Sequence, residues 1–324
     1  MPAIKAPATV LVTGASGFIA CWVCKTFLEA GFTVRGTVRS PQKGDYLANI
    51  FAEYKGRFEY IVVEDMIKQV GAFDEAVKGV QGLIVPALHG TVSVLKSIEK
   101  NGSEVERVVI TSSGAAILDP SKPTGTVFTD DDWNTWSVRQ VEEKGRDAGH
   151  DKYRASKVLA EQAAWEEAKK QTRWDLVTIH PLVTLGPIIH QVSNPSSLNT
   201  SISMLYKIIS SRNEDLKEEV LVEPDNNFGD VRDVALAHLR AMELENAGGQ
   251  RFIACKGAYT WQDALDALPE PYPRGIPNAG KSVKHTVFDS TKASQVLGIN
   301  FRSFEESVRD TTADLQRRGW IPPQ

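Results

Sequence analysis

The stretch at residues 8–30, ATVLVTGASGFIACWVCKTFLEA, decides the fold. Residues 8–13 form a short apolar, β-branched run of the kind that makes a strand buried on both sides. Gly14 and Gly17, spaced G-x-x-G, then interrupt the chain, and residues 18–30 read as a helix. Gly14 permits a tight turn, Gly17 lets backbone amides approach a pyrophosphate, and Ala20 is small enough for the helix to pack on the sheet. A helix starting near Gly17 offers free N–H groups and a positive dipole end to an anion. The loop therefore predicts a bound dinucleotide phosphate, with Gly14, Ser16, Gly17, Phe18 and Ile19 as contacts. The competing reading is a glycine turn without a ligand.

Working outward, the same alternation recurs: TVRGTV before a helix at 43–51, FEYIVVE before one at 72–77, GLIV before one at 92–100, then RVVIT, a helix at 153–169, and WDLVTIHP. Strand and helix alternating over so long a run predict a doubly wound, mostly parallel α/β sheet covered on both faces. Beyond Pro181 the rhythm changes. Helices at 203–211, 231–245, 261–268 and 304–318 and a strand QRFIA are expected there, as a smaller cap over the sheet. The expected division is 1–180 for the dinucleotide domain and 181–324 mainly for the substrate side.

About twenty residues past the glycine loop, where an acidic side chain would hold the ribose hydroxyls of NAD, the sequence reads TVRSPQK. Arg39 and Lys43, with no carboxylate beside them, favour a 2′-phosphate and hence NADP; an ordinary solvated face is the alternative. Asp65, ending the third strand, either meets the adenine or caps the next helix, and Met66 stands beside it.

The sequence YRASK places Tyr153 and Lys157 one helical turn apart. A phenol is a poor acid at neutral pH unless a nearby cation favours its phenolate. The fifth strand ends in VVITSSGA, which puts Thr111, Ser112 and Ser113 at the carboxyl edge of a parallel sheet, where ligands bind.

Together, TGASGFIA, VITSS, YRASK and HPLVTLGP, in that order, resemble the extended short-chain dehydrogenase/reductase family, a Rossmann fold. VVEDMIKQVGAFDEAVKGV, DVRDVALAHLRAM and VLGINFRSFEESVRDT resemble its dihydroflavonol reductase-like group, and within that the fungal NADPH-dependent aldehyde, methylglyoxal and ketone reductases. The resemblance implies a catalytic Ser113, Tyr153 and Lys157, with Tyr153 donating a proton, Ser113 polarising a carbonyl, and Lys157 lowering the tyrosine pKa and holding the nicotinamide ribose. It also implies NADPH phosphate contacts at Arg39 and Lys43, and Pro181 against the nicotinamide. Two other readings remain: a dinucleotide-binding protein with weakened catalysis, and an NAD-linked nucleotide-sugar epimerase, which Arg39 and Lys43 count against. The first rests on the turn after Val85, which looks shorter than its relatives'. Ser93 stands where many relatives carry an asparagine.

Composition narrows the field. With 324 residues, 42% hydrophobic, 24% charged and a net charge of −4, the chain suits a globular protein acting on a small molecule rather than on nucleic acid. The opening MPAIKAPATV has no charged-then-apolar signal layout and no apolar run is long enough for a membrane, so a cytoplasmic location is expected. Cys21 and Cys24 spell C-x-x-C without a second ligand pair, and read as small apolar core residues. No histidines have metal spacing. His180 and His190 are either substrate contacts or packing residues, and Asp130, Asp131 and Asp132 read as a solvated helix start. Composition and motifs leave the oligomeric state open.

Overall fold

The computed structural model describes residues 3–65, 71–85 and 91–321. In chain order the first half comprises β1 (Thr9–Val12), α1 (Phe18–Glu29), β2 (Thr33–Val38), α2 (Pro41–Ile50), β3 (Phe58–Val62), β4 (Gly82–Val85), α3 (Thr91–Asn101), β5 (Arg107–Thr111), β6 (Val127–Phe128), α4 (Thr135–Lys144), α5 (Asp151–Lys169) and β7 (Asp175–Pro181). The second comprises β8 (Val183–Leu185), α6 (Thr200–Ser210), α7 (Glu218–Leu221), β9 (Asn227–Asp230), α8 (Val231–Glu243), β10 (Arg251–Ala254), β11 (Gly257–Ala258), α9 (Trp261–Asp266), β12 (Val287–Phe288), α10 (Thr291–Leu297) and α11 (Phe304–Arg317).

Seven parallel strands in the order β10-β7-β5-β4-β1-β2-β3 form the main sheet. This is the doubly wound Rossmann sheet that the alternation predicts. Its apolar strands, such as the fully buried VLV of β1, need cover on both faces. One cover is α1, whose Val23, Phe27 and Leu28 are fully buried, each contributing about 2 kcal/mol. Packed with it is α8, which lies close because Gly82 has no Cβ: one there would meet Met242 Sδ at 2.7 Å. Strand order reverses between β1 and β4, so a crevice opens at their carboxyl ends.

After Pro181 the chain builds a three-stranded sheet, β11-β9-β8, with a second core in which Tyr259 stacks on Phe304 at 4.4 Å between ring centroids. It does not stay there. From β9 it re-enters the main unit through α8 and returns as β10, the edge partner of β7.

Two local expectations are corrected. Residues 71–79 are a run of turns instead of a helix: Asp74 N–H reaches Gly71 O, Lys78 N–H reaches Glu75 O, and a single four-residue bond joins Val77 to Phe73. Gly71 and Gly79 bracket the segment at φ +74° and +67°, leaving too few residues to offset helix nucleation. The acidic run does not start a helix either. Asn134 caps α4 by accepting from Ser137 N–H, while Asp130 is buried and accepts the N–H of Ile253 on β10. Burial holds its carboxyl above the usual range, and it covers an edge-strand donor that would otherwise be unpaired.

Candidate active site

The loop between β1 and α1 is shaped by its glycines. Gly14 has φ +62°, a left-handed conformation that side chains rarely adopt, and its N–H donates to Thr37 Oγ1 at 3.0 Å. Gly17 N–H turns back onto Gly14 O, and Cys21 N–H onto Gly17 O begins the helical ladder. The N–H groups of Phe18, Ile19 and Ala20 therefore point out of the helix start with no intrahelical acceptor, and α1 has no acidic residue in its first turn. Such an end attracts phosphate oxygens.

Arg39 follows β2 and Lys43 lies in the first turn of α2. Both are exposed, and neither forms a hydrogen bond or ion pair with a described residue. Ser40, the N-cap of α2, makes no side-chain cap, and no acid occupies its first turn. Two free cations flanking an open helix start match the demands of a ribose 2′-phosphate. Asp65 is half-buried beyond β3, and Met66 lies outside the described residues.

A cleft of about 600 Å³ opens where the strand order reverses. Gly14, Gly17, Phe18, Ile19, Ser113 and Tyr153 all line it, so residues from three distant parts of the chain converge. Pro181 is buried at the end of β7, just before the lining residues Leu182 and Val183. Tyr153 sits in the first turn of α5, 58% exposed at the cleft. Lys157 Nζ lies 5.5 Å from the centre of its ring, and burial lowers the lysine's pKa from 10.5.

The two serines divide their roles by direction. Ser112 is buried, and its hydroxyl donates to Glu161 Oε2; Ser113 faces the cleft, and its Oγ accepts Ala115 N–H at 3.1 Å. Only Ser113 can reach a ligand there. Glu161, fully buried on α5, also meets His180 Nε2 at 2.8 Å, Arg251 Nε at 2.8 Å and Thr178 Oγ1 at 3.2 Å. Burial alone would raise its pKa, but His180, Arg251 and the Ser112 hydroxyl together hold it far below the usual carboxylate range. Arg251 in turn stacks on Trp133 at 3.9 Å.

Neither histidine singled out in the sequence lines the cleft. His180 belongs to the Glu161 cluster, and His190 packs against Phe18 at 5.4 Å between ring centroids. Cys21 and Cys24 are buried in α1, and burial raises both thiol pKa values. Among the described residues no group of His, Cys, Asp or Glu could hold a metal. Sequence reasoning missed the cap side of the cleft, where Asn199, Ser201, Met204, Asn227 and Phe288 face the dinucleotide loop. No local motif marks them, because the fold alone brings them there. The turn after Val85 and His89 lie outside the described residues; Ser93 is half-buried in α3.

The model of the NAD dependent epimerase/dehydratase family matches residues 10–255, and the chain belongs to that family. Within it the chain is 35% identical to an uncharacterized oxidoreductase of Saccharomyces cerevisiae, over 96% of this chain and 98% of that protein. It is 31% identical to the NADPH-dependent methylglyoxal reductase Gre2 of the same yeast, over 95% and 98%. The crystal structure of Gre2 from Candida albicans in complex with NADPH superposes with a TM-score of 0.84 at 32% identity, covering 96% of this chain and 99% of that one. The yeast Gre2 alignment spans 346 positions, more than this chain's 324 residues, so that relative carries segments absent here.

Proposed function

We propose that this chain is an NADPH-dependent reductase of aldehydes or ketones, with Ser113, Tyr153 and Lys157 as its catalytic residues. The observation that carries the reading is the convergence of Ser113 and Tyr153 on the cleft that also contains the glycine loop. Gly14, Ser16, Gly17, Phe18 and Ile19 would hold the pyrophosphate, Arg39 and Lys43 the 2′-phosphate, Asp65 and Met66 the adenine side, and Pro181 the nicotinamide. NADPH, when bound, supplies the hydride.

The chain's own groups do the rest. Ser113 Oγ, anchored by one backbone N–H, has its own proton to donate and orients the carbonyl oxygen. Tyr153 gives that oxygen its proton. Lys157 places a partly desolvated ammonium beside the Tyr153 ring, 5.5 Å from its centre, where its charge would stabilise negative charge developing on the phenol oxygen as the proton leaves. The residues after Pro181, chiefly the α6 and β9 side of the cleft, would choose the substrate. NADPH consumption with aldehydes, α-dicarbonyls and aryl ketones tests the reading.

The positions missing relative to yeast Gre2 favour one second reading, a dinucleotide-binding protein with weakened catalysis. NADPH binding without turnover on any carbonyl would support it.

A further inference from the structure

Glu161 stands in line with the two groups that the reductase reading makes catalytic: Tyr153, Lys157 and Glu161 succeed one another at four-residue intervals on α5 and share one face. Yet Glu161 does not line the cleft. It is fully buried, and its two oxygens divide their partners. Oε2 takes Ser112 of the β5 end and His180 of the β7 end; Oε1 takes Arg251 of β10, Thr178 of β7 and the indole N–H of Trp165 at 3.3 Å. One carboxylate thus joins the tyrosine's helix to three adjacent strands.

The sequence neighbours of these partners give the cluster its meaning. Ser112 precedes Ser113, and His180 precedes Pro181 and the lining residue Leu182. Ser112 reaches Glu161, so Ser113, the next residue along, can turn to the cleft. Burying a charge this deeply is costly unless it is fully paired, and a hydrophobic contact would join a helix to a sheet at less risk. What a carboxylate adds is direction: it fixes the rotation and height of α5 against the strand ends through several bonds at once.

We infer that Glu161 is the positioning residue of this site: through Ser112 and His180 it fixes the distance between the Ser113 hydroxyl just beyond β5 and the Tyr153 phenol on α5. This rests on the reductase reading above. Small misplacements of reacting groups cost large factors in rate. The effect therefore falls on kcat, while the glycine loop, Arg39 and Lys43, which are built on other elements, keep their hold on NADPH.

The test compares wild type, Glu161→Gln, Ser112→Ala and the double variant in NADPH-linked carbonyl reduction, with NADPH affinity measured by fluorescence titration. Ser112→Ala removes one link and leaves the buried charge paired, so it reports even where Glu161→Gln fails to fold. The inference predicts a fall in kcat of about tenfold for Ser112→Ala and more for Glu161→Gln. KM and NADPH affinity should stay within about twofold, and the double variant should lose no more than Glu161→Gln alone. Wild-type kcat in Ser112→Ala overturns it, as does a loss of NADPH affinity parallel to the loss of kcat, which marks general unfolding. A wild type that reduces no carbonyl overturns the reductase reading itself, and this inference with it.

Discussion

Lys157 Nζ lies 5.5 Å from the centre of the Tyr153 ring, one turn further along α5, and is partly withdrawn from water. Burial penalises the charged amine, so its pKa is lowered from 10.5. The ammonium proposed to support Tyr153 is then lost at a lower pH than a free lysine would lose it. The alkaline limb of kcat/KM should fall below pH 10.5, and Lys157→Met should cost about 10²-fold or more in kcat. An activity that stays flat up to pH 10.5 would contradict the pairing.

Arg39 and Lys43 should set the choice of cofactor. Each charge-assisted contact to a 2′-phosphate is worth about 1.5–3 kcal/mol, or roughly 10- to 100-fold in affinity. Arg39→Ala should weaken NADPH binding by that factor and leave NADH binding nearly unchanged; equal losses for both would move the phosphate site elsewhere. Because both side chains are exposed, the NADPH preference should shrink as salt rises.

Stability should depend on two buried histidines. Burial, first among the causes, lowers the pKa of both His190 and His238 from 6.5 to about 4. His238 is held neutral between Thr111 Oγ1 and Val234 O, at 2.7 Å each. Between pH 6.5 and 4 the unfolded chain binds protons that the folded chain refuses, so stability is complete above 6.5 and declines as pH falls. Each histidine contributes up to about 3 kcal/mol to that decline. Asp130 and Asp233, raised by burial, act in the opposite sense. Urea unfolding at pH 7 and pH 5, run on wild type and on His238→Gln, isolates the histidine, and an equal loss of stability in both proteins would refute the claim.

Arg107 ties the sheet to the end of α8. Fully buried at the start of β5, it donates to both oxygens of Asp175 at 2.7 Å and to the carbonyls of Ala241 at 2.9 Å and Leu244 at 2.5 Å. Arg107→Met removes a buried cation together with its bonds to Asp175, Ala241 and Leu244, at a cost of about 3–5 kcal/mol. Chemical denaturation should show that loss with the cofactor site intact; a change under 1 kcal/mol would deny the pair its structural role.

The parts of the fold legible in the sequence are those with local causes. Residues 8–30 carry strand, turn and helix in consecutive residues, and YRASK carries its spacing within one helix. Ser113 was legible as one of two adjacent serines, and the geometry separates it from Ser112 by direction alone. Glu161 was not legible as a junction, since its partners His180 and Arg251 lie 19 and 90 residues away. Asp130 looked like a solvated acid because its acceptor role depends on Ile253, 123 residues further on. The helix expected at 72–77 failed for a local reason: apolar spacing was right, with Phe73, Ala76 and Val77 buried, but the segment is too short.

The central claim is that Tyr153 protonates a carbonyl in a cleft already built for NADPH. Its most direct test is NADPH consumption by wild type and Tyr153→Phe on one carbonyl panel, with NADPH affinity measured on both. The account predicts turnover by wild type, a loss of at least about 10²-fold in Tyr153→Phe, and NADPH affinity nearly equal in the two. Turnover retained by Tyr153→Phe would contradict it.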